Sequence, residues 1–173
     1  NHSQYVSLKI KDAIVDRFNR KKNERPSVDR DNPDLKLVVR VTQDKVSVLW
    51  NTSGDSLFKR GYRTMTGLAP INEILAAGIL TFSGWKGEEP LVDPMCGSGT
   101  FLCEALILAK NIPPGNFRNE FGFIKHNTYD HKLWLSIKED ASNKIKNINP
   151  TLYGYDKMNE AIINTKNNIN TID

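Results

Sequence analysis

Leu91-Val92-Asp93-Pro94-Met95-Cys96-Gly97-Ser98-Gly99-Thr100 is the stretch on which the reading of this 173-residue chain turns. A short apolar run ends in an acid, a glycine pair follows, and Phe101, Leu102, Ala105, Leu106 and Ala109 then recur at helical spacing. That order is a strand, a tight bend and a helix packed on a sheet, and the bend is where a doubly wound sheet takes its ligand. Glycine at 97 and 99 lets the backbone turn and approach a ligand with no Cβ in the way.

Pyrophosphate-binding motifs do not fit this bend. A P-loop needs Gly-Lys-Ser/Thr after its spacer, and no lysine follows Gly99 before Lys110. The dinucleotide fingerprint wants a third glycine where Leu102 stands. A cofactor with one nucleoside and a charged amino-acid tail does fit, because Asp93 at the strand end can accept from an ammonium group; the plainer alternative makes Asp93 a helix capper. A second acid is expected at the tip of the next strand to hold ribose hydroxyls. Leu152-Tyr153-Gly154-Tyr155 reads as that strand and Asp156 as that acid, with helix capping as its alternative or additional role.

Outward from this centre, Pro70 opens a segment in which Ile71, Ile74, Leu75, Ile79 and Phe82 mark a helix ending by Gly84. Residues 111–129 form an insertion rich in Pro, Gly, Asn and aromatic side chains. Leu133, Trp134, Ile137, Ala141, Ile145 and Ile148 then resume helical spacing up to Pro150, and Met158, Ala161, Ile162, Thr165 and Ile169 define a last helix. Strand and helix alternating in this way indicate a parallel α/β sheet. At the other end, Val6, Ile10, Ala13, Ile14 and Phe18 predict an amphipathic helix, and the runs 35–41 and 45–49 around Thr42-Gln43-Asp44 predict a hairpin.

The fold class expected is therefore α/β, an incomplete parallel sheet of Rossmann-like type preceded by a separate α+β piece. Its net charge of +4 suits a polyanionic partner without requiring one. No apolar run reaches the ~18 residues that span a bilayer, and Asn1-His2-Ser3-Gln4 lacks the order of a signal peptide. A cytoplasmic protein with reduced Cys96 and Cys103 is expected. No metal site is expected, since His2, His126 and His131 are not spaced with the cysteines as a zinc set.

The segment Asp93 to Thr100 resembles motif I of the S-adenosylmethionine-dependent methyltransferases, in the Asp-Pro-x-Cys-Gly-Ser-Gly-Thr form of those acting on exocyclic amino groups. Leu57-Phe-Lys-Arg-Gly-Tyr-Arg63, Ala69-Pro-Ile-Asn-Glu73 and the helix it opens, Phe121-Gly-Phe123, Asp130 and Trp134 extend the likeness to the THUMP-domain methyltransferases. Within these the chain is most similar to the large-subunit ribosomal RNA guanine-N2 methyltransferases, once described as N6-adenine DNA methylases. Residues 1–55, with Lys11-Asp-Ala-Ile-Val-Asp-Arg17 and Thr52-Ser-Gly54 before Asp55, are similar to the C-terminal part of a THUMP domain. The resemblance implies S-adenosylmethionine held by Asp93, Pro94, Met95, Cys96, Gly97, Ser98, Gly99, Thr100 and Asp156, with Lys157 and Met158 beside adenine and Pro70 and Glu73 bordering the pocket. It implies RNA as partner, and Lys59, Arg60, Tyr62 and Arg63 in a basic linker, 56–68, offer cations and a ring for it; a solvated linker is the plain alternative. Residues 69–173 would be the N-terminal part of the methyltransferase domain.

One departure bears on catalysis. Amino methyltransferases hold the target amine with an Asn/Asp/Ser-Pro-Pro-aromatic turn, and no such run occurs in these 173 residues. Asn111-Ile112-Pro113-Pro114-Gly115 is only a partial likeness, with an extra residue and no ring. The expectation is an internal segment of a longer enzyme that binds cofactor, carries no catalytic residue of its own and turns over little alone. The competing readings are an N6-adenine DNA methyltransferase, which shares motif I, and a non-catalytic RNA-binding module.

Overall fold

A computed structural model describes residues 2–29, 31–65 and 70–172 and divides the chain into two compact units. The first comprises residues 1–54 and 122–127, the second 55–121 and 128–173. The expected linker end between Leu68 and Ala69 lies outside the described residues.

The first unit holds helix α1 (Ser3–Lys22) and the antiparallel pair β1 (Leu37–Thr42) and β2 (Lys45–Trp50). α1 ends where Asn23 turns left-handed and its N–H returns to the Asn19 carbonyl, with Arg20, Lys21 and Lys22 at the negative end of the helix dipole. Only Val15 is buried on it, and Phe18, expected on the inner face, is exposed. The hairpin turns through Gln43-Asp44, with Gln43 at φ +53° because a two-residue loop requires a positive φ. Gly122–Lys125, a 3₁₀ turn inside the long insertion, belongs to this unit rather than to the second: Phe123 N–H donates to the Thr52 carbonyl at 2.9 Å, and His126 stacks on Trp50.

The second unit is built around α3 (Thr100–Lys110), whose residues are buried nearly all round, as a helix between a sheet and other helices must be. It packs on α2 (Glu73–Ser83), α5 (Asn159–Asn170) and the parallel strands β3 (Leu91–Asp93) and β4 (Leu152–Gly154). Asp93 pairs in register with Gly154, so both strands deliver their C-terminal ends to the same edge. Gly154 is required there by packing: a Cβ on it would fall 2.6 Å from Leu102 Cδ1. Tyr62, Cys103, Leu106, Ile107, Ile112 and Ile172 form the core. Burial pushes the Cys103 thiol up to about 12, which keeps it a neutral core residue.

Two elements differ from the sequence reading. α2 begins at Glu73, not at Pro70, because the Asn72 side chain accepts from the Ile74 and Leu75 N–H groups and so caps the helix there. Its apolar face is also reversed: Ala76 and Leu80 are buried, while Ile74, Leu75, Ile79 and Phe82 are exposed, Phe82 to 94%. The helix α4 (His131–Ser142), capped by Asp130 on Leu133 N–H, stops short of Ile145 and Ile148. There the chain is drawn aside by bonds from Lys146 N–H to the Lys110 carbonyl and from Asn111 Nδ2 to the Lys144 carbonyl.

Candidate cofactor site

The β3–β4 pairing continues past the strands as a zipper of backbone bonds. Tyr155 N–H donates to the Asp93 carbonyl at 2.9 Å and Cys96 N–H to the Tyr155 carbonyl at 2.9 Å. The loop then closes on itself, with Gly99 N–H on the Cys96 carbonyl at 2.7 Å, and Cys103 N–H on the Gly99 carbonyl starts α3. These bonds bring the acid of each strand tip to one bend. Asp156 Oδ2 accepts from Gly97 N–H at 3.0 Å and its Oδ1 from Met158 N–H at 3.0 Å. Asp93 Oδ1 accepts from Met95 N–H at 3.1 Å. A carboxylate offers roughly four acceptor positions, so these bonds orient each acid and leave capacity for a ligand.

Hydrogen bonds from Met158 and Gly97, outweighing a small opposing burial, hold the Asp156 carboxyl below its ordinary value of 3.8. A depressed carboxyl supports the fold above its unfolded value and loses that support as pH falls through its folded value. An NMR titration of the Asp156 carboxyl carbon is expected to give a midpoint below 3.8; a midpoint at or above it would mean that these bonds do not form in solution.

The two glycines have different duties. Gly99, at φ +80°, lies against α5, where a Cβ would stand 2.7 Å from Thr165 Cγ2. Gly97, at φ +54°, opens to space, since a Cβ there meets no heavy atom of the described residues within 4 Å. Gly99→Ala is expected to cost about 2–4 kcal/mol, from left-handed strain of ~1–2 kcal/mol plus crowding. Gly97→Ala should cost only the strain, ~1–2 kcal/mol, and place its methyl where a ligand would lie. Urea unfolding of both variants checks this; equal losses would contradict the assignment of an inner and an outer glycine.

Around the bend, Met95 (83% exposed), Pro94, Lys157 and Met158 are exposed, while Cys96, Ser98 and Thr100 are buried beneath it. Burial is the main cause that raises the Cys96 thiol, and its Sγ lies 3.6 Å from Thr165 Oγ1, so it is a packed loop residue and not an activated nucleophile. Pro70 is exposed just before α2, and Glu73 is buried against Arg63, Nε to Oε1 3.0 Å. A cleft of about 590 Å³ lies elsewhere in the second unit, among Pro113, Phe121, Trp134 and Ile137, and none of the residues expected to hold the cofactor lines it.

The reading of Arg60, Tyr62 and Arg63 as an RNA-facing linker is corrected by the structure. Tyr62 is 1% exposed and donates to Glu104 Oε1 at 3.0 Å. Burial first, and then the Glu104 charge, raise its phenol far above the ordinary range, so it stays a donor and has no face for a base. Arg60 meets Glu104 through Nη2 and Oε2 at 3.4 Å, and Arg63 donates through Nη2 to Thr100 Oγ1 at 2.9 Å and pairs with Glu73. Three charged and polar side chains thus enter the protein interior because two carboxylates are waiting there. Of the four, Lys59 remains exposed, 3.2 Å from Asp55.

Comparison with known proteins fits this geometry. A family described as UPF0020, RMKL-like, methyltransferase domain matches residues 60–173, two thirds of the chain. The chain belongs to this methyltransferase family. A THUMP domain matches residues 1–50, so this is a THUMP-containing class I methyltransferase chain with a Rossmann-like segment. Similar solved structures include a possible methylase from Clostridium difficile 630, 40% identical, TM-score 0.79, with 93% of this chain aligned to 42% of that one. SMU.472, given as a candidate methyltransferase complexed with SAH, is 35% identical at TM-score 0.80, covering 94% and 43%. A third, described as a predicted N6-adenine-specific DNA methylase from Listeria monocytogenes str. 4b F2365, is 32% identical at TM-score 0.78, covering 92% and 42%. This chain therefore spans less than half the length of these structures. Among its described residues, no helix is long and apolar enough to cross a membrane.

The sequence reading missed Glu104 and Asn168 and placed Thr165 on the last helix without a role at the bend; all three are buried polar side chains. Thr165 Oγ1 donates to the Gly97 carbonyl at 2.9 Å, and Asn168 Nδ2 to the Ser98 carbonyl at 2.9 Å. Their three-residue spacing on one helix face was the available signal.

Proposed function

We propose that this methyltransferase chain binds S-adenosylmethionine at the bend between β3 and α3 and serves an enzyme that methylates the exocyclic N2 of guanine in large-subunit ribosomal RNA. The observation that carries the cofactor reading is the Asp156 carboxylate on Gly97 N–H, at the head of a parallel strand pair whose other tip is Asp93. The groups present fit the cofactor. Gly97 leaves open space, the two acids have acceptor capacity, and buried Ser98 Oγ has no hydrogen-bond partner among the described residues. The SAH complex of SMU.472 supports the same cofactor class.

In this reading Asp93 accepts from the ammonium of the methionyl tail, and Asp156 accepts from the ribose hydroxyls. Met95, Lys157 and Met158 offer exposed chain beside the adenine, and Pro70 and Glu73 border the site. When bound, S-adenosylmethionine supplies a methyl group on a sulfonium for in-line displacement. The chain's own part is to fix the cofactor so that a nucleophile held elsewhere reaches near-attack geometry. Residues 1–173 contain no Asn/Asp/Ser-Pro-Pro-aromatic run, and little turnover by them alone is expected.

The THUMP domain and the chain's positive charge favour RNA as acceptor. The description of the Listeria neighbour keeps duplex DNA as the second reading. Methyl transfer by the intact protein to ribosomal RNA and to duplex DNA, with the modified nucleoside identified by mass spectrometry, separates them. N2-methylguanosine in RNA is expected. N6-methyladenine in DNA, or cofactor binding with no transfer to either, would overturn the proposal.

A further inference from the structure

The last helix turns a polar face inward. Asn168 on α5 is 1% exposed, and a buried amide is tolerated only when its donors and acceptor are satisfied. Its Oδ1 accepts from Thr64 N–H at 2.9 Å and Met65 N–H at 3.2 Å, and its Nδ2 donates to the Met65 carbonyl at 3.0 Å and the Ser98 carbonyl at 2.9 Å. One side chain therefore ties two chain segments together: the connector at 64–65 and the glycine bend.

Two neighbours repeat the connection. Thr165, one turn earlier, fixes the Gly97 carbonyl with its hydroxyl and packs its methyl against Gly99. Arg63, from the connector, donates through Nη2 to Thr100 Oγ1 at 2.9 Å and to the Ile71 carbonyl at 3.3 Å, while Glu73 compensates its charge. The carbonyls of residues 97 and 98 thus both point into α5. A planar trans peptide turns the Ser98 N–H, which follows the Gly97 carbonyl, away from α5, while the Gly99 N–H closes the loop on the Cys96 carbonyl.

We propose that Thr165, Asn168 and Arg63 are positioning residues for the cofactor: they lock the glycine bend from beneath and lash to it the connector that runs on from the THUMP domain in the chain. A bend held in its binding conformation loses less entropy when it binds, so the lock appears as affinity. The inference rests on the bend being the S-adenosylmethionine site.

Calorimetric affinity for S-adenosylhomocysteine, beside thermal midpoints of the same samples, tests it on the 173-residue chain. Thr165→Val keeps the volume and removes the hydroxyl, Thr165→Ser keeps the hydroxyl, and Arg63→Lys keeps the charge facing Glu73 but not the fork of donors. Thr165→Val, Arg63→Lys and Asn168→Ala should each bind about tenfold more weakly at temperatures where they are folded, with Thr165→Ser restoring most of the loss. Ile107→Val, a core change on α3 away from the bend, should lower the midpoint and leave affinity unchanged. Wild-type affinity in both Thr165→Val and Arg63→Lys, with only their midpoints lowered, would overturn the positioning role. Should Asn168→Ala fail to fold, the Thr165 and Arg63 variants still decide. Absence of binding by the unmutated chain would instead overturn the cofactor reading beneath it.

Discussion

Replacing Asp156 with alanine is expected to weaken S-adenosylmethionine binding roughly 10- to 100-fold, while the thermal midpoint of the chain moves little. The affinity side of this split follows from chemistry. An ionised acceptor facing paired hydroxyls makes charge-assisted hydrogen bonds, which are stronger than neutral ones, so their loss is read directly as the fold-change in affinity. The stability side follows from position. Asp156 sits at a strand tip with Lys157 and Met158 exposed beside it, and the bonds it loses, from Gly97 and Met158 N–H groups, are to backbone at the open rim of the bend. Calorimetry and differential scanning on the same sample check both halves. A variant that binds like the parent would remove Asp156 from the site; one that unfolds would make it a capping residue first.

Glu104→Ala is expected to have the opposite profile and the largest effect on folding, about 3–5 kcal/mol of lost stability. Glu104 lies inside α3, 44 residues from Arg60, and is the common partner of Arg60 and Tyr62. Truncating it leaves a guanidinium and a phenol buried with no acceptor, and the penalty is the desolvation of those groups more than the worth of the pair. Glu104→Gln, which can still accept from Tyr62, should lose distinctly less. The pH dependence has a fixed sign. Burial is the main influence on the Glu104 carboxyl and raises it, against the lowering by Arg60 and Tyr62. A raised carboxyl gives stability that is fully present below its unfolded value, near 4.5, and is lost as pH rises through the folded value. Replacing it with glutamine should therefore flatten the stability profile on the alkaline side of 4.5. Urea melts followed by tryptophan fluorescence supply both numbers. A fall below about 1 kcal/mol for Glu104→Ala would place the group in solvent.

What was legible in the sequence was local. Asp93 to Thr100 specify a strand, bend and helix within one stretch of chain, and the structure forms them over Leu91–Asp93 and Thr100–Lys110. The Gln43-Asp44 hairpin and the parallel partner strand at Leu152 were equally readable. What escaped needed distant partners. Lys59 to Arg63 reads as a solvated basic connector until Glu73 and Glu104 are brought to it, and they lie 10 and 44 residues away from the arginines they meet. The inward face of α5 was legible in part. Periodicity registers Ala161, Ile162, Thr165 and Ile169, but it could not tell that the bend needs hydrogen bonds from that helix, so the role of Thr165 and the inward placing of Asn168 escaped. On α2, periodicity found an apolar face without knowing which neighbour it meets, and the described structure buries the other side.

The most direct test of the account is amide NMR of the 173-residue chain as S-adenosylhomocysteine is added. Saturable shifts are expected, centred on Asp93, Met95, Gly97, Ser98, Gly99 and the segment Asp156 to Met158, and moved to roughly 10- to 100-fold higher ligand concentration in the Asp156→Ala chain. Shifts that instead gather at Pro113, Phe121 and Trp134 around the separate cleft, with the glycine bend unmoved, would contradict it.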